Sequence, residues 1–184
     1  GTDVIVVDPE NEYKHLAESV GGAFLNVSLN AESRINPFDL PHAIQGEDPR
    51  SVLRSAVVNM LGLMNLMLGK LSPEEQAIMD KAIWETYAKK DITMDTTDFG
   101  PVVPPTMTDL VEVLGSIVGG ENLAVRLSKF TEGTFAGIFN QPTNINMDSQ
   151  LVVFSIRDMD EQLRPIATYI ILNFIWNVVR SELK

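Results

Sequence analysis

The chain contains no cysteine. That excludes a disulfide framework, thiol catalysis and a cysteine zinc site. Histidine is almost as scarce, with only His15 and His42, and their separation argues against a histidine-rich metal centre. Positive charge is also in short supply: 14 Lys and Arg stand against 25 Asp and Glu, a net charge of −11. The cations are spread singly rather than clustered, so neither strong direct nucleic-acid binding nor an electrostatic membrane anchor is expected. Long apolar runs are missing too. Residues 56–68 and 165–179 are the most apolar stretches, and both fall short of the ~20 residues that span a bilayer. The chain opens on a strand-like run with no charged leader before it, which reads as soluble and intracellular. On that reading the glycosylation-like triplet Asn26-Val27-Ser28 is chance.

What is present is enough apolar material for a core. Of the 184 residues, 45% are hydrophobic, with 10 prolines and 12 glycines, a composition that excludes collagen, a disordered tail or a low-complexity linker. Residues 4–7 form a short β-branched run closed by Asp8-Pro9, the pattern of a buried parallel strand. A helix over 12–20, stopped by Gly21-Gly22, and a second strand over 23–27 follow. Residues 33–41 hold two prolines and no sustained period, so an ordered loop is expected there.

From Asp48-Pro49 the pattern becomes helical to Leu68, with Ser55, Asn59, Gly62, Asn65 and Gly69 as one narrow polar stripe. Ser72-Pro73-Glu74-Glu75 is a capping box that starts a helix to about Lys90. Residues 91–105 read as a surface connection. Thr106 to Asp109 resembles another cap, for a helix through Val118 ended by Gly119-Gly120, and a shorter helix is expected over 121–131. A third strand over 151–156 and a terminal helix from Asp160 to the chain end complete the order, with Gln162, Tyr169, Asn173, Asn177 and Ser181 as that helix's polar edge. The fold class expected is α/β: a mostly parallel sheet interrupted by a helical insertion. The divisions are 1–47, 48–147 and 148–184.

The sharpest chemical feature is Asp8-Pro9-Glu10-Asn11-Glu12-Tyr13. It places three carboxylates at the C-terminal end of a parallel strand, where open α/β sheets bind ligands. Such carboxylates orient water or hold magnesium beside a nucleotide. The simpler reading is that Asp8 and Glu12 cap the following helix, and the residues alone favour it. Arg34 is placed either to reach a phosphate or carboxylate or to fix its loop through an internal ion pair. Arg157-Asp158 also lies on the presumptive ligand edge. Gly69-Lys70 lacks the remaining residues of a phosphate loop and reads as a helix stop. No metal site is expected, and the methionines at helical spacing read as core.

The two blocks Asp8-Pro9-Glu10-Asn11-Glu12-Tyr13 and Ser33-Arg34-Ile35-Asn36-Pro37-Phe38-Asp39-Leu40 resemble the VirB4/TraC-type ATPases of type IV secretion and conjugation systems, relatives of HerA and FtsK among RecA-like motors. The resemblance implies a partial RecA-like sheet with a helical insertion. It implies a central part of the motor domain, because the family's Walker A loop and Walker B strand would flank these residues and neither motif occurs in them. It further implies ATP and Mg²⁺ as cofactors of the whole protein, with none expected to bind this part alone. Glu12, Glu10 and Asp8 would be the catalytic candidates, Glu12 orienting water or magnesium, and Arg34 and Tyr13 would contact nucleotide or a neighbouring subunit. The whole protein would form a ring, a hexamer, with other secretion subunits, in the cytoplasm at the bacterial inner membrane. The alternatives are a non-enzymatic interaction module and a portion of a HerA/FtsK-like DNA translocase.

Overall fold

The computed structural model describes residues 2–42 and 46–182. Its elements in chain order are β1 (Val4–Asp8), α1 (Lys14–Val20), β2 (Ala23–Asn26), α2 (Pro49–Leu68), α3 (Pro73–Ala88), α4 (Met107–Ser116), α5 (Glu121–Leu127), β3 (Leu151–Ser155) and α6 (Arg164–Glu182). The three strands form one sheet in the order β1-β3-β2. Both pairings are parallel, with Val4 opposite Leu151 and Ala23 opposite Val152. β3 is therefore central, and the residues from Val152 to Ser155 are buried. Val152 and Phe154 join the main core, where Phe154 meets the Phe174 ring of α6 edge-on at 6.1 Å. Val153 is buried on the other face, and α1 packs over β2 and β3.

Local chemistry sets the helix ends. Asp48 accepts a hydrogen bond from the Arg50 N–H, with Pro49 opening α2. The expected capping boxes at Ser72–Glu75 and Thr106–Asp109 both form. Ends differ from expectation where a local bond competes. α4 stops at Ser116 because Ile117 turns extended. α6 starts at Arg164 rather than Asp160, since the Asp160 carboxylate holds the Gln162 N–H and its carbonyl takes Leu163 and Arg164 in a preceding turn. The last two positions of that expected helix, 183 and 184, lie outside the described residues.

Two expectations need correction. The first concerns α2, which at 20 residues is long and apolar enough to cross a membrane by length and composition. The helix expected from Asp48-Pro49 to Leu68 forms as read, while the run of 56–68 weighed against a bilayer covers only its later part. In the fold Val52, Leu53, Val57, Met60, Leu63, Met64 and Met67 are buried instead. The second concerns residues 91–105, which are more than a surface connection. Ile92 and Phe99 are core residues, and Pro105 is buried with them. Single apolar residues anchoring a loop have no period and are invisible to a periodicity argument.

The helical part is tied together at the end of α2. Arg126 of α5 donates to the Leu68 carbonyl at 2.7 Å and pairs with Glu75 of the capping box at 2.8 Å. α6 lies along α2, and parts of the two polar edges meet where the helices face each other. Ser55 and Asn59 share a cavity wall with Tyr169, Asn173 and Asn177. The Tyr169 hydroxyl donates to the Asn59 carbonyl at 2.8 Å.

Gly62 is what allows this approach, because a Cβ there would run into the Tyr169 hydroxyl. Gly62→Ala is therefore expected to lose about 1–3 kcal/mol of stability through overpacking. In a Tyr169→Phe background the same change should cost much less or become favourable, as alanine is worth ~0.5–1 kcal/mol over glycine inside a helix. Urea denaturation of the four proteins checks this; equal effects in both backgrounds would contradict the contact.

Candidate functional site

Register brings the three strand ends level. Asp8, Ser155 and Asn26 are aligned across the sheet, so the segments following each strand emerge together at the C-terminal edge, where parallel sheets gather ligand groups.

Asp8 is 2% exposed. Its carboxylate accepts the Glu10 N–H at 3.1 Å and the Tyr13 N–H at 2.9 Å, while its carbonyl accepts from Ile156. Burial pushes the acid's pKa up, but the backbone N–H groups of Tyr13, Glu12, Glu10 and Asn11 outweigh it and hold the group below its ordinary value of 3.8. An ionised acid whose oxygens are already taken is an anchor, not a proton acceptor. Asp8 therefore anchors the turn ahead of α1, and it does not cap the helix itself, whose first residues receive no side-chain cap.

The same bonds explain why α1 starts at Lys14 and not at Glu12. The chain must turn through Asn11, in the left-handed region at φ 66, before the helix begins. Glu12 makes no cap and lies outside the first turn. Glu10 and Glu12 are exposed on this anchored turn. Tyr13 is 42% exposed. Between the two glutamates, Asn11 holds a side-chain carbonyl oxygen that is buried without a hydrogen-bond partner. The donor set is all oxygen, which suits a hard cation and its waters. A phosphate cradle is not available from the residues gathered here. The Gly-Lys pair sits at the end of α2, where Gly69 is the C-cap.

Arg34 is half-buried, and its guanidinium bonds the carbonyls of Ala31 and, at 3.0 Å, Ser33. Among the described residues it enters no ion pair. It fixes its loop, as one of the two sequence readings held, but through carbonyls rather than a carboxylate. Arg157 likewise forms no pair with Asp158, which accepts instead from the Asn26 amide at 3.0 Å.

Sequence reasoning passed over the groove beside this edge. Asn26, Ser28, Asn30, Asp158 and Asp160 line an open polar cleft of about 540 Å³ along the ends of β2 and β3. Its residues come from segments 130 positions apart in the chain, so no local motif could announce it. Among the described residues no cluster of three or more His, Asp or Glu side chains is arranged to hold a metal by itself.

Asp8→Ala is expected to cost about 1.5–3 kcal/mol at pH 7, the usual size of a lost hydrogen bond to a charged group. Because the folded pKa is depressed, the contribution is present above 3.8 and is lost as pH falls through the folded value. The deficit measured by urea denaturation should therefore narrow between pH 5 and about pH 2. A pH-independent deficit would remove the carboxylate from the account.

No family model matches the chain, and no curated protein matches it. Among solved structures it is similar to VirB4 of Thermoanaerobacter pseudethanolicus, with 28% sequence identity and a TM-score of 0.85 over 100% of this chain and 50% of that one. The chain spans about half the length of the structure it matches. The resemblance drawn from the acidic turn and the Ser33-to-Leu40 block therefore extends over the whole chain, which has the fold of a partial RecA-like domain of a VirB4-type ATPase, with a small parallel sheet and helical parts.

Proposed function

We propose that the chain is the central part of a VirB4-like motor domain that, in the whole protein, hydrolyses ATP to power type IV secretion or conjugative transfer. The observation that carries this reading is the acidic turn. Asp8 stays ionised, held by backbone N–H groups, and fixes the turn, which leaves Glu10 and Glu12 exposed at the C-terminal edge of the parallel sheet. The similarity to VirB4 supports placing that edge beside a nucleotide.

When bound, ATP with magnesium supplies the phosphoryl group to be transferred and a cation that neutralises the developing charge. The chain's own residues do the positioning. Glu12 would orient the attacking water or hold the metal ion, Glu10 would lie beside it, and Tyr13, with Arg34 once released from the loop carbonyls it holds, would contact the nucleotide or a neighbouring subunit. Asp8 acts through the turn and takes no proton. The whole protein works as a hexameric ring with other secretion subunits, in the cytoplasm at the bacterial inner membrane.

A second reading is favoured by a different observation. Tyr13 just before α1 and Leu16 and Val20 on it are exposed, as are Leu172 and Trp176 of α6, apolar surface of the kind that protein contacts cover. As an interaction module the chain would self-associate with rising concentration, which light scattering reads directly. A DNA translocase portion is disfavoured by the net charge of −11, and salt-dependent affinity for DNA would revive it.

Glu12→Gln in the full-length protein is expected to lower ATP turnover by about 10²-fold or more, the range for a lost proton-transfer or water-orienting group, with nucleotide affinity largely retained. Unchanged turnover would remove Glu12 from the mechanism. The 184-residue chain alone should bind ATP and magnesium only weakly, because the backbone cradle and lysine that hold phosphate are not among its residues. Micromolar affinity at one site by calorimetry would contradict this.

A further inference from the structure

Away from the acidic turn, a cleft of about 500 Å³ opens between residues 39–42, the 99–104 segment and the last turns of α6. Its walls are mainly apolar, formed by Leu40, Phe99, Val102, Val103, Phe174 and Val178, with polar groups from Asn36, Asp39, His42, Thr143, Asn177 and Ser181. Asn36, Asp39, Phe174 and Asn177 also line the narrower cavity between α2 and α6, so the apolar mouth leads to a polar recess.

Asp39 is out of balance in this setting. Its carboxylate accepts from the Thr143 hydroxyl, and burial pushes its pKa up while that bond pulls it back. Among the described residues it has no cationic partner. The cation lining the recess, Arg180, is already paired with Glu47. Asn177 reaches only the Asp39 carbonyl, at a long 3.5 Å. A partly desolvated carboxylate without a counter-charge favours any ligand that brings one.

The rim adds a second feature. Pro101, Pro104 and Pro105 confine the residues before them to extended backbone. Val102 and Val103 make no backbone hydrogen bond among the described residues, and Val103 is 71% exposed. Extended backbone with free groups beside a side-chain pocket is the arrangement that accepts a peptide strand.

We propose that this cleft docks an extended segment of a partner protein, which seats an apolar side chain against Phe99, Val102 and Phe174 and pairs a Lys or Arg with Asp39. The net charge of −11 favours approach of such a basic segment and disfavours an acidic one. The inference does not rest on the nucleotide reading, since no residue of the acidic turn lines either cavity.

The test selects binders to the 184-residue chain from a random peptide library and measures the consensus peptide by fluorescence anisotropy. The expected consensus holds an apolar residue and a Lys or Arg within a few positions. Replacing that cation by norleucine should weaken binding by about tenfold or more, the scale of a lost charged hydrogen bond, and the replacement should have little effect against Asp39→Asn. Val103→Glu, on an exposed rim position that cannot upset the core, should also abolish binding, and it carries the test if Asp39→Asn fails to fold. An acidic or uncharged consensus, no binders at all, or binding untouched by both substitutions would overturn the proposal. So would a dimer lost with Val103→Glu in light scattering, which would give the cleft to a second copy of the chain.

Discussion

The structure depends on how a segment without helix or strand is satisfied in the interior. Ile35, Asn36 and Phe38 are each no more than 3% exposed, so their polar groups have no water to turn to. Asn36 meets most of that demand. Its backbone N–H donates to Thr143 at 2.8 Å, its amide donates to the Pro105 carbonyl at 2.9 Å, and its side-chain oxygen accepts the Phe38 N–H at 3.0 Å. Tyr87 closes the arrangement from α3, packing edge-on against Phe38 and donating to its carbonyl at 3.1 Å. Asn144 adds bonds to Arg34 and Glu32. Sheet, helices and the return segment before β3 are thus joined through one loop, and losing any of these partners would leave a buried donor or acceptor unmatched.

That loop shows where sequence reading works and where it stops. Two prolines and a broken period were enough to identify residues 33–41 as an ordered loop. Its burial was not legible, because the groups it bonds lie on Thr143, Pro105 and Asn144, remote in the chain. The same division holds elsewhere. Caps at Asp48, Ser72 and Thr106 were readable because each is a bond within a few residues. The strands over 4–7 and 151–156 were readable from β-branched runs, but their adjacency with β2 displaced to the far side was not. The polar edges of α2 and α6 were visible singly, and only packing brings Tyr169 against Asn59.

The acidic turn divides by the same rule. A capping role for Asp8 was suggested by its position before a helix, and the structure shows its oxygens holding the N–H groups of the turn that leads to that helix instead. Glu12 looked equivalent in sequence, yet the left-handed turn at Asn11 keeps it off the helix end and in solvent. One residue in an uncommon backbone conformation thereby separates two carboxylates that composition cannot distinguish. The groove along Asn26 and Asp158 was out of reach for a different reason, since it exists only after β3 has entered the sheet.

The late arrival of β3 bears on how the chain can assemble. β1 and β2 lie on opposite sides of it and form no ladder with each other, so the contacts each makes with β3 wait until residues near 151 have been synthesised. Nearly all of the helical portion is translated first, and it can collapse around α2 while the two early strands wait. Nucleation then falls to local helix contacts, and sheet closure, which spans most of the chain, becomes the slow, high-contact-order step. During that interval the edges of β1 and β2 that β3 will cover are open to other nascent chains, and a chaperone that shields residues 4–26 would protect the pathway at that stage.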